Sequence, residues 1–308
     1  KGYSLMVEGT SLAGMIEQPV VIIFGQRPGP ATGLPTWTTQ SDLHFVLNAG
    51  QGEFARLVLA PGDMEEAYYL TAVAFNLADK YQTPVFVLVD KYLCESYFTL
   101  PFSALAEKSV AIDRGKLLSE SDQIKEPEIK RYLFTDDGIS PRPIPGRSGG
   151  VFRANSDEHD EWGYSIEDGP TAKHMIEKRL KKLETAQSEV PQPQLYGSEK
   201  AAHTLVGWGS TKGVALEVIR RLTGAGKADL VNYLHINWLN PFPASAVKTM
   251  LSQAKHIIDI EGNHNAQLRD LILVKTGVQI TDTITRYDGR PFFPAEVLDE
   301  LKKFSISL

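Results

Sequence analysis

The 308-residue sequence predicts an α/β protein with two parallel-sheet α/β/α units, on three observations. Apolar, β-branched runs alternate with amphipathic helical stretches, the signature of a parallel sheet covered on both faces. The alternation occurs twice, over residues 1–110 and again over 201–308. Between them, residues 111–200 open on a stretch with no sustained period, too long for an ordinary connection, then give a polar helix and a linker.

The elements follow in order. Leu5, Met6, Leu12, Ala13, Met15 and Ile16 give an apolar helical face over about 3–17. The run Pro19-Val20-Val21-Ile22-Ile23-Phe24 reads as a buried strand. After the loop 25–40, Ser41 is placed to cap a short helix, "DLHFVLNAG". "ARLVLA" is a strand, "PGDMEEAYYLTAVAFNLADKYQ" a turn and an amphipathic helix, and "PVFVLVD" a second buried strand. Residues 101–168 fit either a disordered insert or an extended arm that packs on something. "GPTAKHMIEKRLKKLETAQSEV" is a polar helix and "PQPQLYGSEK" a linker. Strands then follow at "HTLVGWG", "DLVNYLHI" and "HIIDIEG", each leading into a helix.

Composition excludes several classes. Net charge is −6, against a broad nucleic-acid footprint. The single cysteine, Cys94, rules out a disulfide framework and a cluster held by this chain's thiolates, and fits a reducing cytosol. No apolar run approaches a membrane span and no signal peptide is visible, so a cytoplasmic location is expected. The chain starts at Lys1 and runs almost at once into a helix, which leads us to expect a fragment, a processed chain or part of something longer.

Chemistry concentrates in "GQRPGPATGLPTWTTQ", residues 25–40: three glycines, three prolines, four threonines and one charge, Arg27. Ligands of open parallel sheets bind beyond the carboxyl ends of strands, where this loop begins. Prolines make a fixed shape less costly to hold, glycines allow close backbone approach, and a guanidinium matches a carboxylate or phosphate. Two readings stand on the residues alone: an anion site, or a rigid loop whose arginine pairs with a local carboxylate. The cluster Glu158-His159-Asp160-Glu161 lacks ligand spacing for a metal and reads as a loop clamp or interface contact. "WGST" at 208–211 lacks a phosphate-binding glycine pattern, and Glu261 reads as a buried interdomain hydrogen bond, with Asn263 or Asn265 capping the next helix. Cys94 has no evident activating partner and reads as a core or boundary thiol.

Taken together, "GYSLMVEGTSLAGMIEQPVVIIFGQRPGPATGLPTWTTQSDL", "GEFARLVLAPGDMEEAYYLTAVAFNLADKYQTPVFVLVDKYL", "GISPRPIPG", "EHDEWG", "LVGWGST", "INWLNPFP" and "IEGNHNAQL" resemble, in order and over essentially the whole chain, the α subunit of two-subunit 2-oxoacid:ferredoxin oxidoreductases. The resemblance implies an incomplete pyrimidine-binding-type domain over 1–110, a connecting arm, helix and linker over 111–200, and a transketolase C-terminal-like domain over 201–308. It implies oxidative decarboxylation of a 2-oxoacid with coenzyme A to acyl-CoA, carbon dioxide and reduced ferredoxin. Thiamine diphosphate and Mg²⁺ would be shared with a β subunit that carries the diphosphate site and a [4Fe-4S] cluster.

By the same resemblance, Arg27 would grip the C1 carboxylate, Thr36 would sit near the substrate side chain and Thr32 would shape the loop between them. Departures are as informative. The family's upstream threonine stretch, its activating glutamate and the first strands of its pyrimidine-domain sheet are not in this sequence. No catalytic or metal-binding residue is therefore expected in this chain, and its cofactor contacts stay unassigned. The chain is not expected to be active alone. Its expected partners are the β subunit, the N-terminal part or a complementary polypeptide, and ferredoxin, in a heterodimer or a dimer of heterodimers, with neither nucleic acid nor membrane. The pattern leans toward 2-oxoglutarate or a broad substrate range; a non-catalytic assembly subunit that keeps the fold is the alternative.

Overall fold

The computed structural model describes residues 2–118, 129–146, 150–304 and 306; Lys1 and parts of the 101–168 stretch, 119–128 and 147–149, lie outside them. The first unit contains α1 (Val7–Met15), β1 (Val20–Gln26), α2 (Leu43–Asn48), β2 (Leu57–Leu59), α3 (Met64–Tyr81), β3 (Pro84–Asp90), α4 (Lys91–Glu95) and α5 (Phe102–Glu107). The chain continues through α6 (Gly169–Ala186), β4 (Gln194–Tyr196), β5 (His203–Gly207), α7 (Thr211–Gly224), β6 (Val231–His235), β7 (Trp238–Asn240), α8 (Ala244–Gln253), β8 (Ile257–Glu261), α9 (Gln267–Thr276), β9 (Asp282–Thr285) and α10 (Pro294–Lys303).

The α/β class is as the alternation predicts. One sheet runs β1-β3-β2-β7 and the other β4-β6-β5-β8-β9. Every pairing is parallel except β2 with β7 and β4 with β6. These two antiparallel strands depart from the sequence reading, as do the parallel edge strand β9 and the closing helix α10, which it did not name. β4 lies within the "linker": three residues are enough to add to an edge without a strand-like period. β7 leaves the second unit and pairs with the first sheet, Val58 opposite Asn240.

All residues of β2 and β3 are buried, as continuous apolar strands should be. β1 is not: among the described residues it pairs only with β3, and Ile23 is 64% exposed. The helical face expected at the start is also turned outward. Leu5 is 85%, Met6 58% and Leu12 43% exposed; of that face only Ala13 is buried, alongside Tyr3 and Thr10. Periodicity shows that a face is apolar, but not that anything covers it. α2 begins after Asp42, whose side chain makes no cap, in place of the expected Ser41.

Arm residues pack against α6 and the first unit. Tyr132 and Ile139 are buried, Gln82 Nε2 donates to the Ser140 carbonyl at 2.6 Å, and Arg179 forks onto Glu158 at 2.8 and 2.6 Å. No described helix is long and apolar enough to cross a membrane.

Candidate functional site: the loop beyond β1

The loop leaves β1 at Gln26, which pairs in register with Asp90 at the end of β3. It is tightly wound. Gly33 sits at φ +49°, where an added Cβ would lie 2.0 Å from the Pro28 carbonyl oxygen, so only glycine fits. Ala31 is also left-handed, at φ +51°, a conformation that a residue with a Cβ adopts only when its surroundings impose it.

Arg27 is half-buried, and its guanidinium donates to the Thr32 carbonyl at 3.2 Å. Among the described residues it forms no ion pair. Thr32 meets Arg27 through its carbonyl, with its side chain outside that bond. Arg27 lines a groove of about 830 Å³ along the open edge of β1, walled by Tyr3, Phe24 and Phe45 and shared with Asp42, whose carboxyl is raised by burial. Thr36 is exposed and lines a separate hollow of about 260 Å³ with Trp37, Lys91 and Glu95. Arg27 and Thr36 therefore occupy the two shoulders of the loop and do not share one cavity.

The far end of the loop is held by residues that the sequence did not single out. Asp90, buried at the end of β3, accepts from Thr38 Oγ1 at 3.2 Å, Leu93 N at 3.0 Å and Ser210 N at 3.3 Å. Burial raises its carboxyl. Arg290 stacks 3.3 Å over Trp37. A charged residue closing an otherwise apolar strand was the available signal for Asp90. Nothing local marks its contact with Ser210, which is 120 residues away.

Other candidates take structural roles. Glu261 is fully buried and accepts from Trp208 Nε1, Asn263 Nδ2 and the backbone of Leu268 and Arg269. All these donors are in its own unit; the interdomain bonds belong to its neighbours Gly262 and Asn263. Asn263 Oδ1 accepts from the backbone of Ala266, just before α9. Cys94 lies at the surface, outside the core, and partial desolvation of its thiol, with the Asp90 charge nearby, raises its pKa, so it is not activated.

Among the described residues no group of three His, Cys, Asp or Glu side chains could hold a metal ion.

The fold and this loop define a two-unit α/β chain with an arginine-bearing, otherwise neutral loop at a strand end. Residues 1–178 match the family model described as pyruvate flavodoxin/ferredoxin oxidoreductase, thiamine diphosphate-binding, and the chain belongs to that family. It is 40% identical over 304 residues to the 2-oxoacid:ferredoxin oxidoreductase subunit alpha of Saccharolobus solfataricus, covering 98% of this chain and 47% of that one. It is 28% identical over 307 residues to the 2-oxoglutarate synthase subunit KorA of Methanothermobacter thermautotrophicus, covering 99% and 78%. Among solved structures, it is similar to a 2-oxoglutarate:ferredoxin oxidoreductase from Magnetococcus marinus with 2-oxoglutarate, coenzyme A and succinyl-CoA bound. The TM-score is 0.85 at 30% identity, over 98% of this chain and 51% of that one. The chain spans about half the length of the first of these relatives.

Proposed function

We propose that this chain is the carboxylate-recognising part of a 2-oxoacid:ferredoxin oxidoreductase α subunit. The reaction converts a 2-oxoacid and coenzyme A to acyl-CoA and carbon dioxide, and passes two electrons through a partner's [4Fe-4S] cluster to ferredoxin. The single observation that carries this is Arg27: a guanidinium at a strand end, held by one carbonyl bond, with no carboxylate partner among the described residues. Its charge is therefore available to the C1 carboxylate of a substrate. One fixed cation is what orienting a keto carbon requires.

Thiamine diphosphate, when bound, would supply the electron sink that decarboxylation needs. The β subunit carries its diphosphate and Mg²⁺. This chain's own part is to bind and orient: Arg27 holds the carboxylate, Thr32 fixes the loop through its carbonyl, and Thr36 lies toward the substrate's distal end. Since Arg27 and Thr36 face different hollows here, a substrate spanning both would lie across the crest of the loop, and a partner surface would have to close over it. The relatives named for 2-oxoglutarate support 2-oxoglutarate, or a broad range including it, as substrate.

The test is Arg27→Ala in the full-length subunit assembled with its partner. KM for the 2-oxoacid should rise and kcat/KM should fall by about 2–4 kcal/mol-equivalents, the loss of a charged contact. Unchanged kinetics would sink the assignment. A second reading is an assembly subunit that keeps the fold without a thiamine site. It predicts that the natural complex, analysed by mass spectrometry, contains no polypeptide with the upstream glutamate.

A further inference from the structure

In the second sheet, β6 lies on one side of β5 and β8 on the other. The chain leaves β5 for β6 and later returns to β8, so the crevice beyond the carboxyl ends of β5 and β8 is the sheet's topological switch point. Open parallel sheets bind their ligands there. In this protein the crevice is filled by the chain itself, through Gln40 at the end of the Arg27 loop.

Gln40 is buried, and four of its polar groups bond to the second unit, reaching both lips of the crevice. Its Nε2 donates to the Trp208 carbonyl, just past β5, at 2.7 Å. Its Oε1 accepts from Gly262 N, just past β8, at 2.8 Å. Its backbone N–H donates to the Gly262 carbonyl at 2.8 Å, and its carbonyl accepts from Asn263 Nδ2 at 3.0 Å. Both lips carry glycine where the amide enters: a Cβ on Gly209 would stand 2.7 Å from Gln40 Nε2, and one on Gly262 3.2 Å from Oε1. Glu261 braces the socket by accepting from Trp208 Nε1 and from Asn263 Nδ2, each at 2.8 Å.

The socket sets the loop. Thr39 Oγ1 donates to the Gly262 carbonyl at 3.0 Å, and Thr38 N to the Gly289 carbonyl at 3.0 Å. Residues 37–40 are therefore fixed to the second unit, while Gln26 fixes the loop's start to β1. The placement of Arg27 and Thr36 between these anchors depends on where the second anchor sits.

We propose that Gln40 is a positioning residue for 2-oxoacid recognition: the ligand crevice of the second unit is used as a socket that holds the substrate loop in register. This rests on the carboxylate-binding role proposed for Arg27. Placement errors of about 1 Å cost catalysis about a hundredfold, so a change at the socket should reach a substrate that never touches it.

The chemistry of the amide supplies the test. Gln40 uses one donor and one acceptor at once. Gln40→Met has neither. Gln40→Glu has both only when its carboxyl is protonated. Burial, with the carboxyls of Asp90, Glu261 and Asp259 on the elements packed around it, disfavours its charged form. In the full-length assembled enzyme, Gln40→Met should raise KM for the 2-oxoacid about tenfold or more at every pH, with a smaller change in kcat. Gln40→Glu should show the same defect at pH 8, relative to wild type at the same pH, and recover as pH is lowered toward 6. Gly262→Ala, acting from the opposite lip, should raise KM in the same direction by less, and it serves where Gln40→Met fails to assemble. Recovery of Gln40→Glu at low pH supports the socket, because a merely structural defect lowers the yield of active enzyme and leaves KM alone. KM within twofold of wild type in Gln40→Glu at pH 8 and in Gly262→Ala overturns it. Arg27→Ala run beside them separates the two ideas: if its KM rises while theirs does not, only the socket fails; if its KM is unchanged, the carboxylate reading fails.

Discussion

Two buried ionic clusters hold this molecule together, and their charge balances are opposite. Around Glu17, a single carboxylate meets three cations. Lys178 Nζ lies 2.5 Å from one of its oxygens and Lys182 Nζ 2.6 Å from the other, while Arg131 donates to the Glu17 backbone carbonyl at 2.6 Å. This cluster ties the arm and α6 to the turn before β1. Around Glu66, two carboxylates share one lysine. Lys212 Nζ is 2.5 Å from Asp63 and 2.7 Å from Glu66, and His235 Nε2 is 3.0 Å from the other Glu66 oxygen. This one joins α3 of the first unit to α7 and β6 of the second. The difference teaches which group is irreplaceable in each: the anion in the first cluster, the cation in the second. It also sets Arg27 apart, as a cation that belongs to neither.

The largest effect should come from Glu17→Ala. It removes the counter-charge of Lys178, Lys182 and Arg131 at once and should cost about 3–5 kcal/mol by denaturant unfolding. Lys212→Met should cost less, about 2–3 kcal/mol, because Asp63 is partly solvated and both carboxylates keep backbone donors. If Lys212→Met proves the more damaging, the comparison is wrong.

The pH profile separates the clusters further. Burial would raise the Glu66 carboxyl, but His235 and Lys212 bring it down to about 2. A depressed carboxyl stabilises above its unfolded value near 4.5 and loses that contribution as pH falls toward 2. Lys182 behaves oppositely: burial outweighs the attraction of Glu17 and lowers it to about 7 from 10.5. Across that window the unfolded chain binds the proton that the folded chain lacks, so stability should rise with pH from about 7 to 10.5. Unfolding free energies measured across pH should show this rise in wild type and a smaller one in Lys182→Met, where Lys178, also lowered by burial, still contributes. The smallest effect should be that of Arg27→Ala, within about 0.5 kcal/mol of wild type, since no ion pair is lost. A larger loss would mean that Arg27 belongs to a structural network after all.

Much of the fold was legible because it is local. The apolar runs of β2 and β3 and the amphipathic α3, with Asp63 capping it, follow from side-chain period and cap chemistry over a few residues. The stiff, nearly neutral loop around Arg27 was legible for the same reason. The exposed face at Leu5 and Met6, the open edge of β1 and the strand hidden in Gln194–Tyr196 were not, because each depends on what does or does not lie alongside.

By itself, then, the sequence determined most of the element types, the α/β class and the lone charge, Arg27, of a stiff neutral loop, since these are written in the order of neighbouring side chains. Only the tertiary structure decided that Asn240 completes a sheet begun at Val58, that Lys212 answers Glu66, and that Gln40 fills the crevice between β5 and β8. Period and composition state which surfaces must be covered and which polar groups must find partners. They do not state which distant segment will do it, because that depends on how two sheets, folded from separate stretches, come to face each other.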